Sequence, residues 1–255
     1  MLKMRIIPTL LWKDYALVKG LGFDSWRSIG TVLPAILVYT SRNVDELILL
    51  DICATLEGRE PDFDTLSEFS AECTVPLTFG GGIRSVETIR RLLNSGPDKV
   101  SINSAAYDDP DLISDAAELF GSQCIVASID ARRLPDGTYR CVRHAGTSVT
   151  GMSPVSWAVE MQRRGAGEIL ITSVAHDGLM QGYDLELLSA VTQSVSIPVI
   201  ASGGAGSYSH LLDAIVVGGA SAVAAASMFH FTQQTPAAAK MFLAARGIPV
   251  RLPNR

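Results

Sequence analysis

Short apolar segments recur along the whole chain, and stretches with helical spacing of apolar residues separate most of them. Eight such segments occur, at residues 5–10, 46–51, 76–79, 99–102, 124–129, 168–172, 198–201 and 222–226. They lack the strict alternation of a strand with one solvated face, which predicts strands that are buried on both faces. Helices are predicted between them at residues 85–95, 154–164 and 184–195, the first with Val86, Ile89 and Leu92 on one face.

Eight alternating strand and helix units in 255 residues predict one α/β domain, residues 1–255, with a (β/α)₈ barrel (TIM barrel) architecture. A doubly wound parallel sheet is the alternative. Two long segments interrupt the pattern. Residues 13–31 are a candidate lid loop containing Lys19 and two nearby glycines. Residues 131–142 contain Asp136-Gly137, a pair that signals a small hairpin insertion.

An internal repeat favours the barrel. Residues 198–207 repeat the pattern of residues 76–85, a proline and an apolar run followed by glycines, at an offset of 122. The same offset aligns residues 46–52 with 168–174. Two fused half-barrels would produce one offset for both pairs. They would also place two glycine-rich turns on opposite sides of one mouth, an arrangement that suits a substrate with a phosphate at each end.

The second copy, residues 197–231, is the clearest strand, glycine turn, helix, strand unit of the chain. Its turn contains Gly203, Gly204 and Gly206, which allow backbone N–H groups to approach an anion closely. The segment after Ala226 could present a helix N-terminus to the same anion. A phosphate site is therefore one interpretation, and a tight turn with no ligand is the other.

Composition excludes several classes of protein. The chain is 47% apolar with a net charge of −5, and no run of Lys and Arg exceeds two residues, so we expect no nucleic-acid partner. The four cysteines lack CxxC spacing and the four histidines form no paired motif, so we expect neither a metal nor another cofactor. No signal-peptide pattern and no apolar run of about 18 residues is present, which favours a cytoplasmic protein without membrane contact.

Polar residues at the ends of the predicted strands would point into the barrel mouth. They are Asp51, Asn103, Ser104, Asp130, Thr172, Asp177 and Ser202. Asp130 ends an apolar run, where partial desolvation would raise its pKa toward the range useful for general acid/base chemistry. The alternative is a carboxylate that anchors the hairpin behind it. The pair Asp177-Gly178 could equally be part of a tight turn with no role at the site.

The opposite ends of the strands have a second pattern. Four charged residues of alternating sign stand at or beside strand starts: Arg5, Glu46, Lys99 and Glu168. Charges at the floor of a barrel need partners, so they should pair with one another. The residues alone favour a structural ring of ion pairs over a gate.

These features together resemble the cyclase subunit of imidazole glycerol phosphate synthase over essentially the whole chain. The stretches that carry the resemblance are residues 5–8, 50–52, 57–59, 80–85, 98–103, 120–124, 165–170, 177–178, 182–186 and 200–206. The resemblance implies a ribulose-phosphate-binding barrel with two phosphate sites at its mouth. It also implies a heterodimer with a glutaminase subunit on the opposite face, and passage of ammonia along the barrel axis through a ring of four charged residues.

The resemblance changes the interpretation of the four charges at the floor and assigns further residues. Arg5, Glu46, Lys99 and Glu168 match the ammonia gate, and Asp98 matches a position that meets the glutaminase. One phosphate site matches Gly82, Asn103 and Ser104, and the other matches Gly203, Gly204, Ala225 and Ala226. We expect the phosphorylated small-molecule substrate also to contact Lys19, Asp51, Thr172, Asp177, Gly178 and Ser202.

The chain departs from the family pattern at the end of the first strand. The cyclase has an aspartate there, which forms an acid/base pair with the aspartate matched by Asp130, whereas this chain has Leu11. Leucine transfers no proton, and loss of one such group typically costs about 10²- to 10⁴-fold in rate.

Residues 10–13, 17–20 and 23–27 are similar instead to a paralogous branch linked to acetamidino modification of bacterial surface sugars. Three hypotheses follow: an ammonia-channelling subunit of acetamidino sugar synthesis, a cyclase of histidine biosynthesis that tolerates Leu11, and an inert scaffold that activates its glutaminase.

Overall fold

A computed structural model describes residues 3–252, and its twelve strands form one sheet. The strands are β1 (Arg5–Lys13), β2 (Ala16–Leu21), β3 (Asp24–Gly30), β4 (Leu47–Asp51), β5 (Leu77–Gly80), β6 (Lys99–Ile102), β7 (Ile125–Arg133), β8 (Tyr139–Arg143), β9 (Ser148–Val149), β10 (Glu168–Ser173), β11 (Val199–Ser202) and β12 (Ala222–Ala225).

Eight of these strands are parallel and close into a barrel in the order β1, β4, β5, β6, β7, β10, β11, β12. The last pairs with the first, with Arg5 opposite Ala222. This closure confirms the (β/α)₈ barrel and excludes the doubly wound sheet, which would leave two open edges. Each predicted strand is present with bounds shifted by a few residues.

Helices alternate with the barrel strands. They are α1 (Val32–Ser41), α2 (Ala54–Glu57), α3 (Phe63–Glu72), α4 (Val86–Asn94), α5 (Ser104–Asp108), α6 (Asp111–Phe120), α7 (Pro154–Arg163), α8 (Leu185–Thr192), α9 (Tyr208–Val216), α10 (Ser227–Phe231) and α11 (Pro236–Ala244), with a 3-10 turn at Ser122–Cys124. Within residues 3–252, no helix has the length and apolarity needed to cross a membrane.

The strands are buried on both faces, as the missing alternation predicts. On β1, Ile6 and Leu10 pack outward in a large apolar cluster beneath the helices. Ile7 points the other way, into a smaller cluster inside the barrel that also contains Ile48 and Leu170. Because side chains alternate along a strand, every second residue of each barrel strand faces the interior.

The 122-residue repeat is also visible in how the helices begin. Asp62 and Asp184 are 122 residues apart, and each caps the following helix by accepting a hydrogen bond from a backbone N–H three residues on, at 3.1 Å in both cases. Ser85 and Ser207, also 122 apart, cap α4 and α9 in the same way. Equivalent caps at one offset support two half-barrels of common design.

The candidate lid, residues 13–31, is a β-hairpin and not an irregular loop. Its strand β2 pairs with β1, where Leu11 lies opposite Val18, and β3 pairs with β2. The turn consists of Gly22 and Phe23, both with positive φ (57° and 67°), as a type I′ turn requires. Sequence analysis missed the hairpin because Phe is an unusual residue at such a turn.

The insertion at residues 131–142 forms the expected hairpin. Strand β7 extends beyond the barrel rim and pairs with β8, with Arg133 opposite Tyr139. The Asp136 carboxylate accepts a hydrogen bond from the Thr138 backbone N–H at 2.9 Å. The adjacent Gly137 has φ of 85°, which explains the Asp-Gly signal.

A buried ion pair fastens α11 to the barrel floor and leads to a stability prediction. Lys240 is 1% exposed, and its Nζ donates to Asp45 Oδ1 at 2.7 Å and to the Asn43 carbonyl at 2.6 Å. Lys240→Met leaves the Asp45 carboxylate buried without its cation, so we expect a loss of about 3–5 kcal/mol in the free energy of unfolding, measured in urea. The double variant Lys240→Met/Asp45→Asn should recover part of this loss, and no recovery would contradict the explanation.

Candidate active site

A large pocket opens at the carboxyl ends of the barrel strands, with a volume of about 1210 Å³ that includes open solvent at its mouth. All fifteen residues assigned to chemistry or substrate binding line it. They are Leu11, Lys19, Asp51, Gly82, Asn103, Ser104, Asp130, Thr172, Asp177, Gly178, Ser202, Gly203, Gly204, Ala225 and Ala226. Strand ends that are distant in sequence therefore meet at one site, as barrel geometry requires.

Asp130 lies near the end of β7 and is 9% exposed. Its Oδ2 accepts a hydrogen bond from Asn103 Nδ2 at 2.7 Å, and Thr172 lies opposite it on β10. Burial is the main reason that the pKa of Asp130 rises to about 7, and the nearby Asp177 charge adds to the rise, whereas hydrogen bonds from Asn103 and Thr172 oppose it. A carboxyl group that titrates near neutral pH can both accept and donate a proton under ordinary conditions.

Leu11 occupies the position where the resemblance implies a second carboxylate. It faces the pocket from β1 and pairs in register with Leu50 of β4, which also lines the pocket. This part of the wall is therefore apolar. Asp14, three residues further on, lies at the exposed turn between β1 and β2 and is not part of the pocket lining.

The hairpin of β2 and β3 reaches over the mouth to the opposite side. The Gly22 backbone N–H donates to the Asp177 carbonyl at 3.0 Å, and a Cβ at Gly178 would lie 2.3 Å from the Gly20 carbonyl oxygen. Lys19 Nζ donates to the Thr9 carbonyl at 3.1 Å. Burial lowers the pKa of Lys19 to about 7, although the Asp177 charge opposes this change. Burial also raises the pKa of Asp177, which the Lys19 charge opposes.

Asp51 lines the pocket, but its carboxylate is engaged elsewhere. Oδ1 accepts hydrogen bonds from the Cys53 and Ala54 backbone N–H groups, both at 3.0 Å, and from Arg59 Nη2 at 2.9 Å. Arg59 Nη1 lies 2.7 Å from Oδ2. These contacts hold the carboxylate in place between Arg59 and the backbone of the loop. Asp51 therefore shapes the mouth by fixing the loop after β4.

Both glycine-rich turns have the backbone conformation that requires glycine. Gly81 and Gly82 have φ of 116° and 71°, and Gly203 and Gly204 have φ of 86° and 109°. The short helices α5 and α10 begin beside these turns on the neighbouring strands, at Ser104 and Ser227. Since the first amides of a helix have no intrahelical partner, they can point at an anion. The Gly82 amide already donates to Thr55 Oγ1 at 3.2 Å.

We expect Gly204→Ala to weaken the binding of inorganic phosphate by at least about tenfold, because a misplaced amide loses more than about 1.4 kcal/mol. A Cβ at Gly204 would lie 2.0 Å from the Gly182 carbonyl oxygen. Calorimetric titration measures the effect. Gly137→Ala is a matched control, since Gly137 also has a positive φ (85°) but no atom within 4 Å of the added Cβ. Equal phosphate affinity in both variants would contradict the assignment.

The four predicted charged residues at the barrel floor form a closed ring, here called the charged ring. Arg5 Nη1 lies 2.8 Å from Glu46 and 2.7 Å from Glu168, and Lys99 Nζ lies 3.1 Å and 3.0 Å from the same two carboxylates. The side chains are 10–21% exposed. Each cation bridges both anions, so the predicted mutual pairing is confirmed.

An apolar layer separates the charged ring from the pocket on three of its four strands, whereas on β6 Ser101, two residues beyond Lys99, itself lines the pocket. Two residues beyond Arg5, Glu46 and Glu168 are Ile7, Ile48 and Leu170, all inside the barrel. Two residues further still, at Thr9, Leu50 and Thr172, the same strands line the pocket. The ring, the apolar layer and the pocket are thus stacked along the barrel axis.

Asp98 lies on the floor side, immediately before β6, and is exposed. Its Oδ2 accepts a hydrogen bond from the Leu77 backbone N–H at 2.8 Å. This hydrogen bond ties Asp98 to the first residue of β5. Contact of Asp98 with a partner protein stays a prediction.

Several pocket residues were missed by sequence reasoning. Thr9, Ser101 and Ser128 face inward from the middle of strands, where the two-residue alternation could have identified them. Phe23 and Trp26 come from the hairpin, whose placement over the mouth has no signal in the sequence. Within residues 3–252, no cluster of three or more His, Cys, Asp or Glu side chains is arranged to hold a metal ion.

A comparison with protein families gives a match over most of the chain. The model described as "Histidine biosynthesis protein" covers residues 5–235, a range that includes the charged ring, the whole pocket and all eight barrel strands. Members of this family are ribulose-phosphate-binding barrels, typically isomerases or cyclases. The chain therefore belongs to the histidine biosynthesis protein family.

Proposed function

We propose that the protein is the barrel subunit of a glutamine-dependent synthase, which receives ammonia from a glutaminase partner through the barrel axis. The observation that carries the proposal is the charged ring at the floor, on the axis below the pocket. A ring of buried ion pairs contributes little net stability compared with apolar residues of similar size, so stability alone is a weak reason for it. Ammonia is small and polar, and hydrogen-bonding groups at the entrance would ease its passage.

The substrate that we propose for this ammonia is an N-acetyl group of a nucleotide-linked surface sugar, converted to an acetamidino group with the help of a further amidotransferase. Leu11 supports this choice, because it replaces the acid/base partner of Asp130 that ring closure in histidine biosynthesis uses. The hairpin sequence around Lys19 and Trp26 supports the same branch of the family.

The second candidate is the cyclase reaction of histidine biosynthesis, on a bis-phosphorylated ribulosyl aminoimidazole carboxamide. Two glycine-rich turns on opposite sides of the mouth favour it, since they suit a substrate with a phosphate at each end. A third possibility, an inert scaffold that activates the glutaminase, is disfavoured by the buried and protonatable Asp130 in the pocket.

One assay separates the first two candidates. The purified chain is given the ribulosyl substrate and excess ammonium salt at pH 8, and imidazole formation is followed. We expect almost no turnover in the native chain and partial recovery in Leu11→Asp. Turnover near that of an ordinary cyclase would contradict the acetamidino function.

A further inference from the structure

Four titratable residues line the pocket in the described part of the chain: Lys19, Asp51, Asp130 and Asp177. The pocket lining includes no histidine, cysteine, tyrosine or glutamate. Any proton transfer by a pocket side chain at neutral pH therefore uses one of these four groups. Asp51 is excluded by its bidentate contact with Arg59 and by two backbone amides.

Ammonia chemistry at a carbonyl group needs more than one proton transfer. When ammonia condenses with a carbonyl carbon, a C–N bond forms and the C–O bond breaks. Two protons leave the nitrogen, and the oxygen departs as water after gaining two protons. A single carboxylate must then accept and donate in turn, whereas two groups in one pocket share the task. Asp130 is one such group, and Leu11 cannot be the other.

The hairpin brings the remaining two groups together. The loop after β10 holds Asp177, whose backbone N–H donates to the Ser173 carbonyl at 3.1 Å and whose carbonyl accepts from Gly22 at 3.0 Å. Gly178 packs against Gly20 so closely that a Cβ would lie 2.3 Å from the Gly20 carbonyl oxygen. Lys19, next to Gly20, is 3% exposed and lines the same pocket. The hairpin therefore covers Asp177, whereas the Nζ of Lys19 is held by the Thr9 carbonyl at 3.1 Å.

We propose that Asp177 is the second proton-transfer group of this site, acting with Asp130 in place of the carboxylate that is absent at Leu11. The inference rests on the proposed ammonia-dependent function. Asp177, in the loop after β10, and Asp130, on the neighbouring strand β7, line the same pocket. The Asp177 charge raises the pKa of Asp130, so Asp130 tends to hold a proton when Asp177 is charged. That is the state required for one base and one acid.

The polar side chains around Asp177 do not compete with it for proton transfer. His176 is occupied by the Gly182 carbonyl, which lies 2.8 Å from its Nδ1. Asn103 holds Asp130 and not Asp177. His230 is buried near Lys19, and burial lowers its pKa to about 3, so it adds no charge near neutral pH.

Turnover tests the inference without the glutaminase, so a failure of ammonia channelling cannot mask the result. Asp177→Asn, Asp177→Glu and Asp213→Asn are compared in the native and Leu11→Asp backgrounds, with the ribulosyl bisphosphate probe and ammonium salt. The native chain is expected to turn over this probe only weakly, and Asp177→Asn should lower that residual kcat by about 10²-fold or to below detection. The larger kcat of Leu11→Asp should fall far less. Asp177→Glu should retain part of kcat. The exposed Asp213 is the control and should have no effect. A change confined to KM would overturn the inference, since it indicates binding alone.

Carboxyl carbon NMR of aspartate-labelled protein gives a readout that needs no substrate. In the native chain we expect two coupled carboxyl signals that titrate above the ordinary aspartate range. In Asp177→Asn the remaining signal of Asp130 should titrate at lower pH. An unchanged Asp130 titration would overturn the inference even if the proposed function is correct. If the chain does not turn over the probe at all, that result counts against the cyclase candidate, and the NMR titration still decides the role of Asp177.

Discussion

Asp130→Asn is expected to lower product formation by about 10²- to 10⁴-fold, the usual effect of removing a general acid/base group. The variant keeps the shape of the side chain and can still accept the hydrogen bond from Asn103 Nδ2. Because asparagine neither gains nor loses a proton near neutral pH, only the proton transfer is lost. The measurement is the kcat of the acetamidino-forming reaction proposed above, with ammonium salt as the nitrogen source.

The same variant should be more stable than the native protein at alkaline pH. The pKa of Asp130 is raised from 3.8 to about 7 by burial, so the folded state binds this proton more tightly than the unfolded state does. Stability contributed by the protonated carboxyl is therefore lost as the pH rises from about 4 to about 7. Asp130→Asn removes this dependence. Urea denaturation at several pH values measures the difference.

Two outcomes would contradict this account of Asp130. An unchanged product yield in Asp130→Asn would support the inert scaffold. Equal stability of the variant and the native protein above pH 7 would mean that ionising Asp130 does not destabilise the folded state. A loss of activity together with a gain in stability is the pattern expected for a residue kept for function.

Lys99→Met is expected to lower the glutamine-dependent rate by at least about tenfold relative to the ammonium-dependent rate. Lys99 bridges Glu46 and Glu168, and its loss leaves two mostly buried carboxylates sharing Arg5 alone. A rise of about 1.4 kcal/mol in the barrier to ammonia passage would lower the rate tenfold. The rearranged floor should impede transfer from the partner, whereas ammonium salt supplied in solution reaches the pocket through its open mouth.

Glu87→Gln is the matched control for this prediction. Glu87 pairs with Arg90 at 3.4 Å on the surface, where the two side chains are 70% and 49% exposed. Exposed pairs contribute about 0–1 kcal/mol, so neither rate should change. If Lys99→Met lowers both rates equally, the charged ring is a structural feature and not a route for ammonia.

Much of the fold could be predicted because strands that are buried on both faces appear in the sequence as continuous apolar runs. Eight apolar runs and the 122-residue offset between Gly82 and Gly204 were sufficient for the barrel and for two glycine-rich turns. The positions of Arg5 at the start and Leu11 at the end of the first predicted strand were also sufficient to place the charged ring and the pocket at opposite ends of the barrel.

The rest of the site depends on contacts between segments that are far apart in sequence. Nothing in the local pattern indicates that Arg59 neutralises Asp51, because the contact depends on how the loop after β4 folds back. The contact between Gly20 and Gly178 depends on the path of the hairpin across the mouth. Both contacts decide which carboxylates remain available for chemistry.

An isotope competition tests the central claim most directly, that ammonia reaches the pocket along the barrel axis. The barrel and its proposed glutaminase partner are supplied with amide-labelled ¹⁵N-glutamine and an excess of unlabelled ammonium salt, and ¹⁵N in the product is measured by mass spectrometry. Transfer through the charged ring predicts that the product carries ¹⁵N well above its share of the free ammonium pool, and that Lys99→Met reduces this excess. Product nitrogen that matches the free pool in the native complex would contradict the claim.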